Sequence, residues 1–236
     1  MELRQSDLNF VCSRIPQDVR RFMVEGRGLM LAGGFIRSVI EGSVPKDLDF
    51  FGPSKEVLEN AAIKLAHARE AKLHYSENAI TVITPTRTPV QFITRWMYAN
   101  PEELVREFDF TICQAVVWWG PFPGTDIQPR WRSICSDDFY ADLAAKRLVY
   151  TFPQREEAAG GSMLRVRKFL QRGYNIQPAS LAGVIARLVK GIEKNTAGLP
   201  EYELAEQLSF LLFEVDPLLI IDGMDVIDEH EDINQG

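Results

Sequence analysis

A chain of 236 residues, 46% hydrophobic and 25% charged, is long enough to bury one sizeable core, or a catalytic domain with a smaller appendage. Its apolar runs, around Val116 to Trp119 and Pro217 to Ile221, fall far below the ~20 residues that span a bilayer, and its first residues lack the basic-then-apolar secretory pattern, so a cytoplasmic protein with no membrane contact is expected. Cys12, Cys113 and Cys135 stand apart without a CxxC pair, which argues against a disulfide framework or a zinc ribbon. The net charge of −7 is unevenly spread: residues 201–236 hold eleven carboxylates and no Lys or Arg, leaving 22 acids against 26 bases in residues 1–200. That first part can face a polyanion although the whole chain is acidic. The acidic end reads first as a solvating segment, with repulsion or mimicry of nucleic acid, or service to a protein partner, as alternatives.

Apolar residues at helical spacing from Leu8 to Met23 predict a helix in two pieces, broken at Pro16. Leu29 to Ala32 reads as a short buried strand stopped by Gly33-Gly34, and Phe35 to Glu41 as two helical turns closed by Gly42. Val44-Pro45 leads in extended form to a strand over Asp47 to Phe51, ended by Gly52-Pro53. Ser54 is the expected N-cap of a helix running to about Glu70, although Val57 stands where a capping box needs Glu or Gln. His74 with Ala79 to Ile83, and Val90 to Thr94, predict strands of a hairpin turned near Pro85 and Pro89. A helix over Pro101 to Glu107, a strand over Phe110 to Trp119 and a loop over Pro121 to Arg132 follow. From there the pattern is helical: Asp142 to Val149, Ser162 to Arg172, Leu181 to Lys190 and Tyr202 to Phe213, with only Arg147 to Thr151 as a further strand candidate. The expectation is an α+β fold, with a mixed sheet and flanking helices over residues 1–155 and a small all-helical domain over 156–236.

One stretch carries chemistry. Asp47 and Asp49 lie one residue apart on a strand and so point to the same face. Paired carboxylates of that kind bind a hard divalent cation, which in turn takes oxygens from a nucleoside triphosphate. Gly33-Gly34, at a strand-to-helix turn, lets phosphate approach backbone N–H groups at the positive end of a new helix. Each feature alone is common; their order within seventeen residues is not. Trp118, Trp119 and Trp131 are read as packing residues rather than base-stacking ones.

Gly33-Gly34-Phe-Ile-Arg37, then Gly42, then Lys46-Asp47-Leu48-Asp49 resembles the signature of CCA-adding enzymes and bacterial poly(A) polymerases, within the DNA polymerase β-like nucleotidyltransferase superfamily. Val90 to Arg95, Asp109-Phe110-Thr111 and Met163 to Ile176 resemble later segments of that family in the right order, the last one the start of its neck domain. The resemblance implies a metal-dependent transfer of a nucleotide from an NTP, with ATP or CTP favoured, to an RNA 3′ end, a tRNA, a small molecule or a protein. It implies that Asp47 and Asp49 hold two magnesium ions, with manganese as a substitute, and that Gln91 stands at a third, weaker ligand position. It further implies that Gly33, Gly34, Arg37 and Lys46 lie along the triphosphate, Asp109 near the sugar, and Arg165, Arg167 and Arg172 near phosphates or base.

The chain departs from the pattern in places. Ser38 replaces an acidic residue, Gln91 replaces a carboxylate, Glu107-Phe108 replaces an Arg pair before Asp109, and no Glu-Asp-x-x-Arg segment of the base-reading kind is found. An amide oxygen is a neutral and weaker metal ligand. These departures argue against full CCA addition. Two readings stand: a compact nucleotidyltransferase, or a nucleotide- or protein-binding module on the same fold with little catalysis.

Overall fold

The computed structural model describes residues 1–26, 28–121, 128–154, 160–192 and 199–213. The chain divides into two compact units, Met1–Ala145 and Lys146–Gly236. The first opens with α1 (Gln5–Arg14) and α2 (Gln17–Glu25), separated at Pro16, which sits at the N-cap of α2. There its missing N–H costs nothing, whereas inside a longer helix it would remove a bond. Then come β1 (Met30–Ala32), α3 (Gly34–Glu41), β2 (Leu48–Phe51), α4 (Lys55–Arg69), β3 (Lys72–Tyr75), β4 (Ala79–Thr84), β5 (Arg87–Ile93), α5 (Pro101–Arg106), β6 (Ala115–Gly120), β7 (Arg130–Cys135) and α6 (Phe139–Ala144). The strands form one sheet in the order β3-β4-β5-β2-β1-β6-β7. Only β2 and β5 pair in parallel; the other five pairings are antiparallel.

Sheet register fixes which residues share a face. Ala32 pairs with Asp49 on one side and Val116 on the other, and Met30 with Phe51 and Trp118. On this face Met30, Ala32, Phe51, Val116 and Trp118 pack against Leu104 and Val105 of α5. Leu31, Leu48, Phe50 and Phe92 alternate to the opposite face, all buried, with the Phe50 and Phe92 rings stacked at 5.6 Å. Local chemistry ends the helices as expected. The Ser54 hydroxyl accepts the Val57 N–H at 3.2 Å, Asn100 caps α5 by accepting the Glu102 N–H at 2.8 Å, and Gly42 closes α3 in the left-handed conformation at φ 80°. At the outer edge of β7, Met1 and Cys135 exchange backbone hydrogen bonds, and the Leu3 N–H donates to Ser133 Oγ.

Four segments differ from expectation. The apolar run from Phe110 begins with a 3-10 turn over Thr111–Cys113 before β6 starts at Ala115; Thr111 Oγ1 donates to the buried Asp142 carboxylate at 2.6 Å, a bond that side-chain periodicity does not announce. The loop expected to Arg132 ends earlier, because Trp131 pairs with Trp119 across the strands, their rings at 5.4 Å. The residues expected as a turn at Pro89 lie inside β5; the lack of an N–H there coincides with the register shift between Val82 and Thr84. The helix expected to Val149 stops at Ala144, and Lys146 follows in the left-handed conformation at φ 47°. Part of the expected Pro121 to Arg132 loop, residues 122–127, lies outside the described residues, as does the acidic segment from residue 214 onward.

The second unit contains β8 (Arg147–Leu148), α7 (Gly161–Gln171), β9 (Asn175–Ile176), α8 (Pro178–Lys190) and α9 (Glu201–Phe213). β8 and β9 form a short parallel pair. Leu148, Tyr150, Leu164, Val166, Phe169, Tyr174, Val184 and Leu188 are its buried residues. Among the described residues of both units, no helix is long and apolar enough to cross a membrane. Cys12, Cys113 and Cys135 are free and buried, and burial pushes the Cys12 thiol up to about 12 and the Cys135 thiol to about 11, which keeps both protonated at neutral pH.

An ion-pair clamp ties α2 to the end of α4 and the start of β5. The Asp18 carboxylate accepts from Arg69 Nε at 2.7 Å, Arg69 Nη2 at 3.3 Å and Arg87 Nη1 at 2.9 Å. Burial pushes the Asp18 carboxyl up, but the hydrogen bonds and charge of Arg69, with the charge of Arg87, outweigh it and hold the group below its ordinary value. A carboxyl depressed in the folded state stabilises above its unfolded pKa and loses that contribution as pH falls through the folded one. Asp18→Asn is therefore expected to cost about 2 kcal/mol at pH 7. In paired thermal melts, its difference from the natural chain should shrink as pH drops below about 4.

Candidate functional site

The turn between β1 and α3 is built around Gly33, whose φ of 75° and ψ of −129° suit glycine alone. A Cβ at Gly33 would also lie 3.2 Å from the Phe108 ring. The Gly33 N–H is held by the Ala115 carbonyl at 3.2 Å. Gly34 is different: its φ is ordinary, and a Cβ there would meet only Arg37 Nη2, at 3.8 Å. Neither backbone strain nor crowding within the chain requires Gly34, which opens the first turn of α3. Because β1 and β2 run antiparallel with Ala32 opposite Asp49, the step from Ala32 into the Gly33-Gly34 turn leads toward the Asp47 end of β2.

Asp47 immediately precedes β2 and Asp49 lies within it. Burial alternates along the run, with Asp47 and Asp49 half-buried and Leu48 and Phe50 buried. On the other side of β2 the parallel ladder sets Asp49 opposite Gln91, and the next ladder sets Gln91 opposite Thr81. Asp49, Gln91 and Thr81 therefore form one row across three strands on one face. Gln91 and Thr81 are both buried. Thr81 is a neighbour of the site that sequence reasoning did not single out; its signal was a lone polar residue inside the apolar run from Ala79 to Ile83. Among the described residues, no three His, Cys, Asp or Glu side chains gather as a metal-binding group.

Arg37 is only 5% exposed. Its Nη1 reaches Cys113 Sγ at 3.8 Å, Nη2 donates to Ser38 Oγ at 3.4 Å, and Nε lies 4.0 Å from the Glu41 carboxylate. Ser38, where the resembled pattern has an acid, thus serves as acceptor for the neighbouring arginine, and Glu41 brings a carboxylate to it one helical turn on. Cys113, at the end of the 3-10 turn, links this arginine to the segment carrying Asp109, which is 1% exposed. Lys46 is exposed beside Asp47. The first unit thus holds Gly33, Gly34, Arg37, Lys46, Asp47, Asp49, Gln91 and Asp109. Arg165 and Arg167 lie on α7 and Arg172 at its C-cap, in the second unit.

With this geometry in place, the class of the protein follows. The chain is similar to the solved structure of the Thermotoga maritima CCA-adding enzyme complexed with tRNA, at 17% identity and a TM-score of 0.51, over 78% of this chain and 45% of that one. It is similar to a CCA-adding enzyme in complex with ATP, at 14% identity and a TM-score of 0.52, over 89% of this chain and 54% of that one. It also resembles an apo tRNA-processing enzyme, at 15% identity and a TM-score of 0.52, over 90% of this chain and 60% of that one. The chain spans between 45% and 60% of those structures, and the fold it shares with them is nucleotidyltransferase-like. Among curated proteins, no sequence matches it. The sequence model of the Gabija anti-defense 2 family matches residues 2–146, and the chain belongs to that family.

The two glycines predict opposite outcomes. Gly33→Ala forces an L-residue into a glycine-only conformation and against Phe108, and should destabilise the protein by about 1–3 kcal/mol. Gly34→Ala should leave the melting temperature nearly unchanged. Equal melting shifts for the two would contradict the turn geometry.

Proposed function

We propose that the protein is a metal-dependent nucleotidyltransferase that moves a nucleotide from an NTP, ATP or CTP by preference, onto an acceptor hydroxyl. The acceptor is an RNA 3′ end, a small molecule or a protein side chain. The observation that carries this reading is the row formed by Asp49 and Gln91, with Asp47 one strand period away, beside the Gly33-Gly34 turn. The donor set is made only of oxygens, two carboxylates and an amide, and fits a hard cation such as magnesium. A bound pair of such ions supplies charge neutralisation on the attacking and leaving oxygens of an in-line phosphoryl transfer.

In this reading Asp47 and Asp49 hold the metals and set the phosphates in line, while Gln91 offers a neutral oxygen at the third position. Gly34 owes its place to what lies outside the chain: a bare backbone at the first turn of α3 lets phosphate oxygens reach N–H groups. Gly33 fixes the turn, Lys46 adds charge at its mouth, and Arg37, held by Ser38 and Glu41, stiffens α3 behind it. Asp109 lies near the sugar, and Arg165, Arg167 and Arg172 meet phosphates or base. The nucleotide chemistry is ascribed to residues 1–155 and a neck-like role to residues 156–236. The family's description adds a purpose: nucleotidyl transfer directed against the Gabija defence, in the cytoplasm where NTPs and magnesium are at hand. Gln91 favours a second reading, in which the same face binds nucleotide with little turnover and the acidic end serves a protein partner.

Incubating the full chain with magnesium and each labelled NTP, with and without RNA, separates the two. The transferase reading expects label on an acceptor; intact NTP binding with no transfer to anything would leave the binding module. Asp47→Ala and Asp49→Ala should each lower transfer by at least a hundredfold in a chain whose circular dichroism stays that of the natural protein. Full turnover in both would overturn the site. Gln91→Glu should raise activity and metal affinity if position 91 is a ligand position.

A further inference from the structure

We infer that Arg132 and Arg130, on one face of β7, form a binding site for a small phosphate dianion. Among the described residues three arginines are buried: Arg37, Arg69 and Arg132. The first two each face a carboxylate, Arg37 that of Glu41 and Arg69 that of Asp18. Arg132 is only 5% exposed, yet it makes no ion pair among the described residues. Its Nε and Nη2 are both buried and have no hydrogen-bond partner there. Those two nitrogens carry the parallel N–H groups of the guanidinium's side-on fork, which takes two oxygens of one oxyanion. Arg69 uses the same pair of atoms to hold the Asp18 carboxylate, at 2.7 and 3.3 Å. Burying a charge is costly unless something pairs with it. The orphaned fork of Arg132 therefore calls for an oxyanion from outside the described chain.

Position and charge narrow the class of anion. Arg132 pairs with Trp118, and Trp118 with Met30, which places Arg132 on the face of the sheet that α5 covers. Strand alternation puts Arg130 on that same face, at the start of β7, where it is exposed and also makes no ion pair among the described residues. The buried fork and the outer guanidinium arise about 7 Å apart along the strand. Two positive charges suit a dianion better than a single carboxylate, and inorganic phosphate or a phosphomonoester carries close to two negative charges at neutral pH. Between β7 and the strand of Asp49 stand β6 and β1, so roughly 14 Å of sheet separates this site from the row of Asp49 and Gln91. It is distinct from the glycine turn and stands whether or not the chain transfers nucleotides.

The test is calorimetric titration of the full chain with inorganic phosphate, with neither NTP nor divalent metal present, so that failure of transfer chemistry cannot affect it. Glycerol 3-phosphate and succinate are titrated alongside. One phosphate is expected to bind per chain, and to bind more tightly than succinate. Binding of glycerol 3-phosphate as well would mark the occupant as the phosphoryl group of a small molecule; binding of inorganic phosphate alone would mark it as the free ion, and both results uphold the site. Arg130→Gln should weaken phosphate binding about tenfold. Arg132→Lys keeps a charge but loses the fork, and should weaken it at least as much. Arg132→Met should abolish binding, and phosphate, which raises the melting temperature of the natural chain, should leave that of this variant unchanged. Where Arg132→Met fails to fold, the exposed Arg130→Gln and the charge-preserving Arg132→Lys decide. A natural chain that takes up no phosphate at millimolar concentration, succinate bound as tightly as phosphate, or unchanged phosphate affinity in folded Arg130→Gln and Arg132→Lys variants would each overturn the inference.

Discussion

β2 is hydrogen-bonded on both sides, antiparallel to β1 and parallel to β5, and the positions of the chemical groups follow from those two ladders. The first ladder sets Ala32 beside Asp49 and so delivers the glycine turn to the carboxylate strand. The second sets Gln91 on the other side of the same aspartate. A slip of one residue in either pairing would send the facing side chain to the opposite surface of the sheet. The register is held by what lies behind: Leu48, Phe50, Phe92 and Leu31 are buried on the far face, and any slip would expose them. The Asp49 face itself carries the buried Ala32, Phe51 and Val116, so apolar burial on both faces holds the polar row in place.

This dependence on strand pairing explains what could be read from the sequence. The glycine turn, the short helix and the strand of Asp47 and Asp49 are local, each announced by residues within a few positions of one another, and they stand where expected. The same holds for Ser54, which caps α4 despite the missing capping-box partner. Thr81 escaped because its place beside Gln91 depends on a pairing between strands, and pairing is not written in local periodicity. β7 escaped because its edge strand follows a proline- and glycine-rich stretch whose end composition does not mark; the Trp119–Trp131 pair that defines it is a cross-strand contact. The 3-10 turn at Thr111 was hidden for a similar reason, since it depends on Asp142, thirty-one residues away.

The substitutions that set this chain apart from the resembled pattern are structurally connected. Ser38 accepts from Arg37, and Glu41 approaches the same guanidinium from the next turn of α3. A carboxylate lost from one position is thus partly replaced from another. At position 91 the residue beside Asp49 carries an amide, and Thr81 stands next to it in the sheet. Against the resembled pattern, the face has an amide where that pattern has a carboxylate, and so one negative charge fewer.

The edges of the seven-stranded sheet have a further consequence. At one end Met1 and Cys135 bond to each other along the rim of β7, and Ser133 takes the Leu3 N–H. At the other, β3 is four residues long and mostly exposed, with Lys72 at its start. Exposed strand rims are templates on which other chains can add a strand, and short, charged or covered rims resist this. Self-association by strand addition is therefore discouraged at both ends.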